Sequence, residues 1–260
     1  MDVLLTSCLD LNYKTEDGVR IPHHFGNKNG ILDIIKKLTP KQEHFVFVAS
    51  VEDNYEATDL YANIAIESFK MTFPFKKYTV LDGRTKDRAR EIISSADFIF
   101  LCGGHVPTQN KFFQNINLKE IIRDTNALVV GGSAGSMNCA KTVYAQAELE
   151  GESIDPNYQT YIPGLGLTDI SILPHFEERI DYTLDGKSIL NEISLPDSKV
   201  RPFIAYGDGT YIHDDQTTQT LYGKAFLFNN GEITQISEDN TKTDITSLVT
   251  QMFATPEVQE

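Results

Sequence analysis

The chain has 260 residues, with 37 acidic against 23 basic side chains and a formal net charge of −14 at pH 7. That length suits one large α/β domain with a substantial core, and the charge excludes general attraction to nucleic-acid phosphates or to an anionic membrane surface. No apolar run approaches the ~20 residues that span a bilayer, and the opening "MDVLLTSCLD" lacks a signal-peptide pattern, so a cytoplasmic location is expected.

In chain order, "DVLLTS" reads as a strand, and "NYKTEDGVRIPHHFGNKNG", which has no periodicity, as a surface loop. "GILDIIKKL" is helical, "HFVFVAS" a strand, "ATDLYANIAIESFKM" a helix, "KYTVL" a strand, "RTKDRAREIIS" a helix and "DFIFLCGG" a strand. A helical segment ending in "LKEIIRD" then leads to the strand "ALVVGG". This βαβαβαβαβ order calls for a parallel sheet with helices on both faces, in which ligands bind beyond the carboxyl ends of the strands. After residue 200, "RPFIAYG", "GTYIHDD", "TLYGKAFLF" and "GEITQIS" read as hairpin strands that extend or flank that sheet. No linker or repeat divides the chain, so residues 1–260 are expected to form a single domain with "ATPEVQE" as a frayed acidic tail. Cys8, Cys102 and Cys139 lie at wide, unmatched spacing and read as reduced thiols.

Gly131, Gly132, Ser133, Ala134 and Gly135 spell G-x-S-x-G between an apolar strand and a plausible helix. This is the pattern of a nucleophile elbow, a strained turn that exposes a serine oxygen. The plain alternative is a tight turn. A serine attacks only if a base takes its proton and a third group fixes that base. Of six histidines, His175 in "DISILPHFEER" stands first past a strand read as Asp169 to Leu173. His105 follows Gly103 and Gly104 and could line the site. His23 and His24 point opposite ways in a loop, His44 begins a strand, and His213 lies among the late hairpins. The orienting acid stays open among Glu148, Glu150 and Glu152 in "AQAELEGES" and Asp208 in "YGDGT". The Ala134 amide and one from Gly103 or Gly104 are candidate oxyanion donors.

"GGSAGSMNCA", "LCGGHVPTQ" and "ILPHF" together resemble the serine peptidase family of peptidase E (aspartyl dipeptidase) and cyanophycinase. The likeness runs over roughly residues 1–235 as an order of elements and is specific around 98–140, 170–180 and 203–212. It implies a flavodoxin-like, doubly wound, mostly parallel sheet related to class I glutamine amidotransferases, with C-terminal β-hairpin strands. It also implies Ser133 as nucleophile, His175 as base, and an acid that gapless counting puts at Glu148, with Glu150 next. Gly104 and Ala134 would form the oxyanion hole, with Gly103, His105, Asp208 and Arg179 lining the substrate site. Members that prefer N-terminal aspartate carry an arginine about a dozen residues past the histidine. Here that stretch is "IDYTLDGKSI", and Arg179 is the nearest guanidinium.

The expected activity is serine-type exopeptidase or dipeptidase cleavage of small peptides through an acyl-enzyme. The resemblance leaves room for a homodimer. Nucleotide-loop, zinc and EF-hand motifs are absent, so neither cofactor nor metal is expected. Two alternatives stand beside this reading: a non-catalytic amidotransferase-like binding or regulatory module, and an α/β-hydrolase esterase using Ser133 and His213.

Overall fold

The apolar runs form the parallel half of an eight-stranded sheet in the computed structural model, which describes residues 1–253. The tail expected at 254–260 lies outside the described residues. The chain opens with β1 (Val3–Thr6), a hairpin of β2 (Asn12–Lys14) and β3 (Arg20–Pro22), and α1 (Ile31–Leu38). It continues through β4 (His44–Val48), α2 (Tyr55–Thr72), β5 (Lys77–Leu81), α3 (Ala89–Ser94), β6 (Phe98–Leu101), α4 (Val106–Asn115), α5 (Leu118–Arg123) and β7 (Leu128–Gly132). Next come α6 (Ala134–Asn138), β8 (Thr142–Tyr144), β9 (Tyr161–Pro163), β10 (Ile172–Leu173), α7 (Phe176–Arg179), β11 (Thr183–Leu184), β12 (Lys187–Ser188) and α8 (Leu195–Asp197). The last elements are β13 (Phe203–Tyr206), β14 (Tyr211–Asp214), β15 (Gln219–Tyr222), β16 (Ala225–Asn229), β17 (Glu232–Ser237), β18 (Lys242–Asp244) and α9 (Thr246–Met252).

The large sheet has the order β18-β15-β14-β1-β7-β6-β4-β5, parallel from β1 to β5 and antiparallel from β1 to β18. Alternate side chains of each central strand enter opposite cores, as the two-residue period of a strand requires. Phe45 and Phe47 join Phe69, Phe98 and Phe100 on one face, while Val46 and Val48 join Ile99 and Val129 on the other. Phe45 stacks on Phe98 with ring centroids 5.2 Å apart. Both faces are therefore covered, which makes the sheet doubly wound. α2 begins where Asn54 accepts the Ala57 amide at 3.3 Å, a side-chain N-cap, and buries Ala62, Ala65 and Phe69.

The late strands divide between two sheets. β14, β15 and β18 extend the large sheet, whereas β13, β16 and β17 join β10 in a four-stranded sheet of order β10-β13-β16-β17. Tyr206 ties the two together by donating to the Leu5 carbonyl at 2.9 Å. Two expectations need correction. The stretch read as a loop holds the β2–β3 hairpin, closed by pairing of Tyr13 with Ile21. The strand read as Asp169 to Leu173 is only Ile172–Leu173, because the Thr168 hydroxyl turns aside to Asp214 at 2.7 Å and caps the Ile170 amide.

Candidate active site

Register brings three chain segments to one edge. Thr6 of β1 pairs with Gly132 of β7, and Leu101 of β6 with Gly131, so Ser7, Ser133 and Cys102–Gly104 all leave the sheet at the carboxyl ends of neighbouring strands. Ser133 has φ 52° and ψ −117°, outside the regions that non-glycine residues ordinarily occupy, and α6 starts at the next residue. Crowding explains the small residues around it. A Cβ on Gly131 would lie 2.5 Å from the Ser136 backbone, and one on Gly135 would overlap the Leu101 carbonyl. Ser136 locks the turn to β1, its hydroxyl 2.8 Å from both the amide and the carbonyl of Thr6.

The second sheet delivers the histidine and a carboxylate. β10 and β13 are parallel with Leu173 opposite Ala205, so His175 and Asp208 emerge side by side just past the two strands. His175 takes a left-handed conformation (φ 58°, ψ 26°), and its Nδ1 lies 2.8 Å from Asp208 Oδ1. Ser7 braces the pair. Its hydroxyl donates to Asp208 Oδ1 at 2.5 Å and accepts the His175 backbone amide at 3.1 Å. Burial would push the Asp208 carboxyl up, but hydrogen bonds from His175, Ser7 and Cys8, and the charge of His175, hold it well below the usual carboxylate range. The thiol of Cys8 is pushed strongly up by burial and by Asp208. Cys8, Cys102 and Cys139 are all free thiols.

A cavity of about 420 Å³ opens on this edge, and Ser133, His175, Gly103, Gly104 and Ser7 all line it. Ser133 and His175 are thus brought to one cavity, though among the described residues the Ser133 hydroxyl has no hydrogen-bond partner. Gly104 has room only as glycine, since a Cβ would come within 2.5 Å of Ser50. Ala134 occupies the first position of α6, where the amide has no partner within the helix. Gln109 fixes the loop before Gly103 by donating to the Cys102 carbonyl at 2.6 Å, and Asn138 of α6 donates to Gln109 at 3.0 Å. The two glycine-bearing turns therefore share one buried amide network.

The other candidates are placed elsewhere. Glu148, counted as the acid, is bound to Arg179 at 2.6 Å, and neither lines the cavity. The carboxylate on His175 is Asp208 instead, because the β10–β13 pairing puts residues far apart in sequence at adjacent strand ends. Glu150 is exposed. Glu152 accepts the amides of Glu148 and Leu149 and meets His105 Nε2 at 2.8 Å, and His105, expected to line the site, does not line the cavity. His213 pairs with Asp2 at 2.7 Å beside the amino end of β1, opposite to the elbow. His44 is buried against Thr79, and His23 meets Asp10 at 3.0 Å. Glu178 brings a third ligand-type atom within 4.8 Å of those of His175 and Asp208, a proximity that the His175–Asp208 hydrogen bond largely explains. Sequence reading missed Ser7 and Gln109. "LLTS" at the end of the first strand was the signal available for Ser7, whereas nothing marked Gln109.

The fold and site define a class: an α/β protein with a serine elbow and a histidine–carboxylate pair at the carboxyl ends of its strands. The model for peptidase family S51 matches residues 22–220, and the chain belongs to that family of peptidases. The structure is similar to that of a peptidase from an acI-B1 actinobacterium, with a TM-score of 0.64 and 12% identity over 94% of this chain and 96% of the other. That likeness is one of fold. A putative peptidase E protein from Listeria monocytogenes EGD-e superposes over 90% of this chain and 97% of its own, with a TM-score of 0.48 and 15% identity. The comparison with curated proteins gave no match. Among the described residues, no helix is long and apolar enough to cross a membrane.

Proposed function

We propose that this member of the family is a cytoplasmic serine peptidase that cleaves short peptides through an acyl-enzyme on Ser133. The observation that carries the reading is the shared cavity: it is lined by a serine on a strained elbow and by a histidine whose Nδ1 is held by Asp208, leaving Nε2 for proton transfer. Ser133 Oγ attacks the scissile carbonyl carbon as His175 Nε2 takes its proton. The tetrahedral oxyanion is met by the amides of Ala134 and Gly104, the type of donor whose single loss raises the barrier by about 3 kcal/mol. His175 then returns the proton to the leaving amine, and water, deprotonated by the same nitrogen, releases the acyl group. Serine–imidazole bonds are often long before substrate closes the site, which accords with the unbonded Ser133 hydroxyl. Asp208 keeps Nδ1 protonated and so fixes the tautomer that exposes Nε2.

The cavity volume lies at the lower end of the range of small-molecule sites, which favours substrates of one or two residues beside the elbow. A fluorophosphonate should add one phosphonyl group to Ser133, and Ser133→Ala and His175→Ala should each abolish labelling. Labelling that survives Ser133→Ala overturns the reading. Peptide binding without turnover by the unaltered chain favours the non-catalytic module instead.

A further inference from the structure

We propose that Arg20 is a carboxylate-binding side chain of the Ser133 cavity, and that the preferred peptides carry an anionic group there; this rests on the peptidase reading above. The cavity wall is largely apolar, with Leu9, Leu11, Phe47, Ile64 and Phe100 among its lining, and no aspartate or glutamate lines it. Into this wall the β2–β3 hairpin inserts Arg20. Four other arginines are each held by a carboxylate: Arg84 by Asp59 and Asp82, Arg88 by Glu91, Arg90 by Asp124 and Arg179 by Glu148. Arg20 forms no ion pair among the described residues, although the chain carries a net charge of −14. It also borders an adjoining cavity of about 600 Å³ that Asp10, Glu178 and Asp208 line, and it pairs with none of them.

The group is nonetheless held in place. Arg20 Nη1 donates to Asn12 Oδ1 at 3.1 Å, and the guanidinium carbon lies 5.6 Å from the centre of the Tyr61 ring. Asn12 takes one of the five guanidinium N–H donors, so a bidentate edge remains for a ligand. A carboxylate matches that fork in shape and charge, and an apolar wall strengthens the pairing by excluding water. Arg20 comes from the amino-terminal hairpin, ahead of the residues 22–220 that the family model matches. It therefore supplies a charge that the sequence near His175 does not predict.

The carboxylate can be a side chain or a peptide's C-terminus, and four dipeptides separate these: Asp-Leu, Asn-Leu and their C-terminal amides. Calorimetry on the Ser133→Ala chain reads binding without turnover. One carboxylate form should bind about 10- to 100-fold more tightly than its uncharged counterpart. Arg20→Gln on the same background should erase that ratio, and Arg20→Lys should keep part of it. The pair that carries the ratio identifies the source. A ratio that survives Arg20→Gln, or no carboxylate preference in the Ser133→Ala chain, overturns the proposal. Fluorophosphonate labelling of the unaltered chain tests the peptidase reading separately: its failure counts against that reading, while the binding ratio still decides the role of Arg20.

Discussion

Asp208 Oδ1 faces two hydrogen-bond partners, His175 Nδ1 and the Ser7 hydroxyl, and the proposed chemistry hangs on that one oxygen. Asp208→Asn should lower kcat by about 10²- to 10⁴-fold with little change in KM, because an amide stabilises the wrong tautomer of His175. Glu148→Gln should cost far less, since Glu148 meets Arg179 and not the histidine. Steady-state kinetics of the two variants decides between the acids, and the reverse order of effects returns the role to Glu148. The Asp208 carboxyl is held below its ordinary value, so its contribution to stability is present above the ordinary carboxylate pKa and is lost as pH falls through the lowered one. Asp208→Asn should therefore lower the melting temperature most at pH 5–7, with the deficit shrinking below about pH 4. At this scale the meeting of Ser133 and His175 at one cavity was legible, one from its glycine-rich corner and the other from its place after a strand. The carboxylate beside His175 was ambiguous because that link is spatial. Counting along the chain follows covalent distance, while 175 and 208 are neighbours only through strand pairing.

Strand ends explain how the elements aim the side chains of the site. β1, β6 and β7 finish in register, and the turns that follow are pinned by Ser136 and Gln109. Gly135→Ala tests this directly, because the added methyl group would collide with the Leu101 carbonyl. Denaturant unfolding should show a loss of about 1–3 kcal/mol, the usual cost of overpacking. An unchanged midpoint would mean that the close approach is not real. The parallel strands and their helices were readable because each run is long and its apolar period is clear. The β2–β3 hairpin was not, since its strands of three residues are exposed or half-buried and carry no apolar face. Nor could alternation alone say which sheet each late strand joins. β13 and β14 are both apolar and adjacent in sequence, yet they pair in different sheets.

Across the whole molecule, the large sheet carries Ser133 and the small sheet His175, so the proposed catalysis requires the two to stay in register with each other. Part of the small sheet's support is a half-buried carboxyl. Asp197 accepts the Tyr144 hydroxyl at 2.9 Å, and Tyr144 stacks on Phe203 of β13 with centroids 4.2 Å apart. Burial pushes the Asp197 carboxyl up to about 6, with the Tyr144 hydrogen bond opposing it only in part. A raised acid stabilises the fold while it is protonated, below its ordinary pKa, and that benefit disappears as pH rises through about 6. Relative to the unaltered chain, Asp197→Asn should therefore gain melting temperature as pH is taken from 4 to 7. A difference that shrinks over that interval contradicts the assignment. The strand β1 has one more implication. It lies fourth from one edge of the large sheet and hands the chain directly to Ser7, so the earliest few residues are keystone rather than fringe. Proteolytic clipping or a late translational start that deleted residues 1–9 would leave the serine motif intact in the polypeptide yet cleave the architecture between β7 and β14, and a clipped product should be inert as well as prone to aggregate.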